Sequence, residues 1–219
     1  MSARQELLNL AKGSAGKPGT LRGIDPARAR AAAVLILFGT LDNRPARFHA
    51  EAVSDDLDLL LVLRSGALND HPGQVAFPGG RIDDDDNGPI AAALREAREE
   101  TGVDTTGIEV LGRLPESGLP ISNFLVTPVL AWWARQSPVT AVDQAESKHV
   151  FRVPVADLLD PACRRSVVSH RNGVTWTTPA FLVKGVTVWG FTAMLLDALF
   201  NDLGWTIPWD DSRQIPPPL

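Results

Sequence analysis

The sequence predicts an α/β (α+β) sandwich with a mixed β-sheet, and three observations carry that expectation. Two or three helical patterns interleave with six or more short strand-like runs, the order expected when helices pack on a sheet. The run Ala32–Phe38, AAVLILF, is continuously apolar, which suits a strand buried in the interior. Between Pro89 and Gly102 stands a helical pattern bounded at both ends by residues that bound helices.

Taken in order, residues 1–30 read as an N-terminal extension: a short helix over 1–12 carrying Leu7, Leu8 and Leu10, then the flexible run GSAGKPG at 13–19. Residues 31–205 form the main domain, and 206–219 a Pro-rich tail that is a surface strap or disordered. Within the domain, strand Ala32–Phe38 is followed by a turn-rich stretch and by strand Leu57–Leu63. A loop then leads to the short strand VAF, which delivers the chain to Pro78-Gly79-Gly80. Pro89 takes a first helical position, where its missing N–H is no loss, and Gly102 a left-handed C-cap, which makes a helix of about 13 residues. Further strands are expected at 108–114, 124–133 and 148–153, then a short helix VADLLD after Pro154. A strand pair near 165–170 and 174–183 precedes a last helix over Trp189–Leu203.

Length and composition bound the function. A chain of 219 residues, 44% hydrophobic and 21% charged, is long enough for one domain with a full core. A net charge of −5 argues against nucleic acid or an acidic membrane as partner, although a small polyanion can be bound locally. Cys163 is the only cysteine, so neither a disulfide framework nor a thiolate metal cluster is expected, and a reducing, cytoplasmic setting follows. With no leader-like segment and no run approaching about 18 apolar residues, a soluble protein is expected. Homodimer formation is left open.

The chemistry concentrates in one helix. Arg95, Glu96, Glu99, Glu100 and Gly102 stand as R-E-x-x-E-E-x-G. At about 100° per residue, the three glutamates fall within roughly a 100° arc, while Ile90, Leu94 and Ala97 centre on another face. Like charges so spaced oppose the helix by about 0.2–0.5 kcal/mol a pair, and a hard divalent cation reverses that sign. A solvated acidic face is the alternative.

The stretch from Gly80 to Val103 resembles the Nudix box, with Arg95, Glu96, Ala97, Glu99, Glu100, Gly102 and Val103 matching its helical half. Arg64-Ser65 and Gly73–Gly80 are similar to the element that precedes the box in the coenzyme A diphosphatases of that superfamily. Val126-Thr127-Pro128-Val129 and residues 186–193, VTVWGFTA, resemble that subfamily's central strand and its C-terminal helix start, so the likeness runs collinearly over roughly residues 32–200. It implies a Nudix-type α/β/α sandwich with the catalytic helix in a loop-helix-loop. It also implies a metal-dependent diphosphatase that cleaves coenzyme A and its derivatives to 3′,5′-ADP and 4′-phosphopantetheine. The subfamily usually has Thr at the position of Val62 and a basic residue at that of Asn69, and the usual loop glutamate of the box falls on Asn87. Asn69 favours the alternative substrates, which are NADH, ADP-ribose or an oxidised nucleotide; a nucleotide-binding module without catalysis is a third reading.

The resemblance also assigns residues. Gly80, through its backbone, and Glu96, Glu99 and Glu100 are expected to hold Mg²⁺ or Mn²⁺. Arg95 is expected to orient a glutamate through a bidentate pair, and Arg98 to lie on the surface. A further carboxylate, as ligand or general base, is placed at Glu146, with Asp143 second; either is otherwise a solvated loop acid. Arg64, His71 and Gln74 are candidates for substrate contact, against an ordinary ion pair, an exposed loop histidine and a turn hydrogen bond. Asp83–Asp86 are expected as a solvated turn, the tryptophans as packing, and Cys163 as inert.

Overall fold

The computed structural model describes residues 1–19, 23–25, 27–40, 45–65, 73–120, 122–142, 147–171 and 173–218. In chain order come α1 (Ala3–Ser14), β1 (Arg30–Thr40), β2 (Leu57–Arg64), β3 (Val75–Ala76), β4 (Gly79–Arg81) and α2 (Gly88–Thr101). Then follow β5 (Ile108–Arg113), β6 (Ser117–Leu119), β7 (Phe124–Trp133), β8 (Ser147–Pro154) and α3 (Val155–Leu159). The C-terminal part holds β9 (Arg164–Arg171), β10 (Val174–Val183), β11 (Val186–Val188), α4 (Gly190–Asp202) and β12 (Gln214–Ile215). No helix among the described residues is long and apolar enough to cross a membrane.

The main sheet runs β3-β2-β1-β7-β5, with β4 beside β1, β6 beside β7 and β8 beside β2. Its β1–β7 pair is parallel and the rest are antiparallel, so the sheet is mixed, as expected. Strand β1 explains its own apolar run. Leu35 and Leu37 pack with α2, whereas Ile36 and Phe38 point the other way, into the larger core with α1, α3 and α4. Side chains alternate along a strand, so a strand covered on both faces must be apolar throughout. The face of α2 on the sheet is Ala92, Ala93 and Ala97, all fully buried, with Ile90 and Leu94 only partly so. Alanines at the contact let helix and sheet approach closely.

Two parts of the chain depart from the simplest reading. The N-terminal segment does not lie apart: Leu7 and Ala11, one turn apart on α1, are buried in the larger core. Arg4 bonds Glu109, and the Trp205 indole N–H donates to Glu6 at 2.6 Å. A second, four-stranded sheet, β11-β10-β9-β12, was not separable from the first in the sequence. Its last strand belongs to the Pro-rich tail, which pairs Gln214 and Ile215 with Ser166 and Val167 and is therefore a strap. The buried Arg164, stacked between Phe181 and Trp209 and paired with Asp197, ties tail to body.

Candidate active site

The Gly-Gly turn enters the sheet where β1 has lost its neighbour. Strand β2 pairs with β1 only at residues 38–40, and β4 takes over the same edge further back, with Ala33 opposite Gly80 and Val34 opposite Gly79. A side chain fits at neither glycine. A Cβ at Gly79 would stand 2.4 Å from the Ala33 carbonyl oxygen, and one at Gly80 2.4 Å from Glu96 Oε1. The Gly79 N–H in turn donates to Glu100 Oε2 at 3.0 Å. Helix α2, closed by Gly102 at φ 67°, thus lays two carboxylates against this backbone.

The three glutamates are not equivalent. The side chains of Glu100 and Glu96 are only 6% and 18% exposed and line the cleft, whereas that of Glu99 is 52% exposed and turns outward. Arg98 is exposed, on the far side. Position 99 lies about 60° from 96 and 100° from 100 round the helix, which is enough to swing it off the cleft side.

Arg95 is the hub behind them. Its Nη1 donates to Glu96 Oε1 at 2.9 Å and to Glu99 Oε2 at 3.0 Å. The bidentate partner is not a glutamate, as expected from the sequence, but Asp86, which receives Nε at 3.0 Å and Nη2 at 2.8 Å. Asp86 therefore is not part of a solvated turn. Its side chain is 6% exposed, while Asp83, Asp84 and Asp85 are open to water. The signal lay in the spacing: Asp86 immediately precedes Asn87, where the loop acid of the resembled box was expected.

This pairing shifts both partners. The bonds to Asp86, then those to Glu96 and Glu99, hold Arg95 more firmly protonated than an ordinary arginine. The Arg95 guanidinium, helped by the Asp83 N–H, holds the Asp86 carboxyl below the usual aspartate range. The stability from Asp86 is therefore fully present above its ordinary pKa, about 4, and is lost as pH falls through its lowered native value. Asp86→Asn is expected to reduce kcat/KM about 10- to 100-fold by loosening Arg95, the usual effect of losing an orienting partner behind a ligand. Its stability deficit against wild type should shrink in acid, below about pH 4, which denaturant unfolding measured across pH checks.

Sequence-distant stretches meet in one cleft of about 400 Å³. Alternate residues of β1, Arg30, Ala32 and Val34, form its floor with Phe124 and Val126 of β7. Residues 74–77 and the Gly79–Gly80 backbone form one wall with Glu96 and Glu100, and Phe191 and Thr192 at the start of α4 form another. Arg64, at the end of β2, places Nη1 4.0 Å from Glu100 Oε1, and its buried Nε has no hydrogen-bond partner among the described residues. Gln74 lines the cleft, and its carbonyl accepts from the Arg64 N–H at 2.9 Å. Sequence reasoning missed Arg30, Arg81, Phe124 and Phe191 as cleft residues. His71, Asn69, Asp143 and Glu146 lie outside the described residues.

The donor set suits a hard cation. Glu96, Glu100 and the Gly79–Gly80 backbone offer oxygen donors, the type that Mg²⁺ and Mn²⁺ take. Among the described residues no three Asp, Glu, His or Cys side chains gather tightly enough to hold one ion. Arg95 instead holds oxygens of Glu96 and Glu99, and the Gly79 N–H holds Glu100. Glu96 and Glu100 are thus the pair that fits, since a small cation of this kind commonly keeps one or two carboxylates and takes its other oxygens from phosphates and water.

A curated protein from Escherichia coli O7:K1 (strain IAI39 / ExPEC), described as "Uncharacterized Nudix hydrolase NudL", is 38% identical over 152 residues, 67% of this chain and 75% of its own length. A protein of the same description from Cronobacter sakazakii is 37% identical over 152 residues, with the same two coverages of 67% and 75%. Among solved structures, a MutT/nudix family protein from Enterococcus faecalis is 18% identical, with a TM-score of 0.46 over 93% of this chain and 73% of that one. The family profile described as NUDIX domain matches residues 43–182, which include the Gly-Gly turn, the whole of α2 and Arg64. The chain belongs to the NUDIX domain family.

Proposed function

We propose that the chain is a metal-dependent Nudix hydrolase that cleaves the diphosphate bond of coenzyme A and its derivatives, giving 3′,5′-ADP and 4′-phosphopantetheine. One observation carries the reading. The stretches that resemble coenzyme A diphosphatases, around Arg64, Gln74–Gly80, Val126 and Phe191–Thr192, are far apart in sequence and line the same cleft.

Each residue then has a task. Water adds across the diphosphate, its oxygen going to one phosphorus while the bridging oxygen leaves with the other. In such a reaction the protein mainly positions groups and supplies charge. Arg64, which lines the cleft beside Glu100, would bind a phosphate oxygen through its guanidinium. Glu96 and Glu100 would hold Mg²⁺ or Mn²⁺, which offsets the negative charge of the diphosphate. Arg95 positions Glu96 and Glu99 from behind and does not line the cleft. Ala32, Val34 and Val126 of the floor and the Phe124 and Phe191 rings accommodate the remainder of the substrate and keep water from the reacting end. Glu146 is the proposed general base; its chain neighbour Ser147 is paired with Arg64, a cleft residue.

Asn69 favours a second reading, hydrolysis of another nucleoside diphosphate. Val62 bears less on the choice, because it is fully buried, is paired with Ala76 and Val150, and does not line the cleft. The purified protein, with Mg²⁺ or Mn²⁺, is expected to convert coenzyme A faster than NADH, ADP-ribose or an oxidised nucleoside triphosphate, with products identified by mass. Turnover of one of the others without turnover of coenzyme A would replace the first reading by the second.

A further inference from the structure

The sequence reaches Arg30 only as the last residue of the N-terminal extension, yet the fold places it in the cleft. Its guanidinium carbon lies 4.1 Å from the centre of the Phe124 ring, and its Nη2 donates to the Ser122 carbonyl at 2.8 Å. The backbone behind it is stitched to the same turn. The Arg30 N–H donates to the Asn123 carbonyl at 3.0 Å, and the Asp25 N–H to Asn123 Oδ1 at 3.0 Å. Asn123 itself takes φ 50°, a conformation asparagine tolerates better than most residues. The charge is therefore held in place by an aromatic face and one carbonyl, and among the described residues no carboxylate forms an ion pair with it.

Its distance from the diphosphate end gives it a different task from Arg64. Arg30, Ala32 and Val34 share the cleft side of β1, and Ala33 and Val34 are opposite Gly80 and Gly79, so Arg30 stands three to four residues, about 10–13 Å, along the strand from the two glycines. Arg64 lies beside Glu100, whereas the Arg30 guanidinium is stacked on Phe124, its strand partner on β7, so the two cations stand at different places along the cleft. A planar guanidinium stacked on an aromatic face suits a phosphate monoester.

We infer that Arg30 is a specificity residue that binds a second anionic group of the substrate, a phosphate monoester remote from the scissile diphosphate. On the coenzyme A reading, on which this rests, that group is the 3′-phosphate of the ribose. The test compares coenzyme A with 3′-dephospho-coenzyme A as substrates of wild type, Arg30→Met and Arg30→Gln, with thermal melting to establish that the variants fold. It also compares binding of 3′,5′-ADP and 5′-AMP by calorimetry. Wild type is expected to favour the 3′-phosphorylated member of each pair about tenfold to a hundredfold, the range of one hydrogen-bonded charge. Either variant should lose that preference by weakening only the phosphorylated member. Equal losses on both members, or a preference left intact, would overturn the assignment. Absence of turnover of both substrates by wild type would strike the coenzyme A reading, and the calorimetric pair would still decide Arg30: discrimination lost with Arg30 supports it, and discrimination unchanged or lacking in wild type refutes it.

Discussion

Replacing Glu100 with glutamine is expected to lower kcat/KM by about two to three orders of magnitude, the usual effect of removing one electrostatic contributor from a preorganised phosphoryl-transfer or acyl-transfer site. The substitution is close to isosteric. Glutamine keeps an oxygen for the Gly79 N–H, now 3.0 Å from Glu100 Oε2, while the charge is lost and the other oxygen becomes an amide NH2. The fold should therefore survive, and melting without metal should stay near that of wild type. Mg²⁺ or Mn²⁺ should raise the wild-type melting temperature, by the equivalent of about 2.7 kcal/mol at a hundredfold excess over Kd, and should do so much less for Glu100→Gln. Full activity in this variant would contradict the assignment of the carboxylate pair.

Gly80→Ala should be nearly as damaging to activity, through a different physical cause. The new Cβ would stand 2.4 Å from Glu96 Oε1 and 2.5 Å from its Cδ, so the carboxylate must move. Both atoms belong to the end of a flexible side chain, and the fold can absorb the shift even though the site cannot. A misplacement of about 1 Å costs on the order of a hundredfold in rate, and that loss is expected in kcat/KM with little change in melting temperature. Gly79→Ala is the contrasting variant. There the obstructing atoms are the Ala33 carbonyl oxygen and the Val34 Cα, so the pairing of β4 with β1 must open and the melting temperature should fall. A Gly80→Ala enzyme of wild-type activity would show that Glu96 need not lie against this backbone.

These two variants divide the protein along the line between what its local sequence states and what its fold adds. Helix α2 was readable from residues close in the chain: Pro89 at its start, Gly102 at its end, and alanines and glutamates at helical spacing between. The expectation of a buried β1 also needed only its own seven-residue apolar run, since such a run has no solvent face to offer. The unequal exposure of the glutamates could not be read there. Helical spacing places them within one arc, but only the course of β4 decides that Glu96 and Glu100 meet the Gly-Gly backbone while Glu99 faces outward.

Asp86 marks the same boundary at short range. Four consecutive aspartates look alike in sequence, and the reach of Arg95 singles out one of them. At long range the boundary is sharper. Trp205 meets Glu6 across 199 positions, which brings the N-terminal helix to the core, and Arg30 meets Ser122 across 92, which brings a cation into the cleft. By itself the sequence determined helix α2, its ends and the spacing of its carboxylates, because those depend on neighbours within a turn or two. Only the tertiary structure decided which carboxylates face the cleft and which arginines share it, because those depend on contacts between residues that are distant in the chain and adjacent only after the sheet has formed.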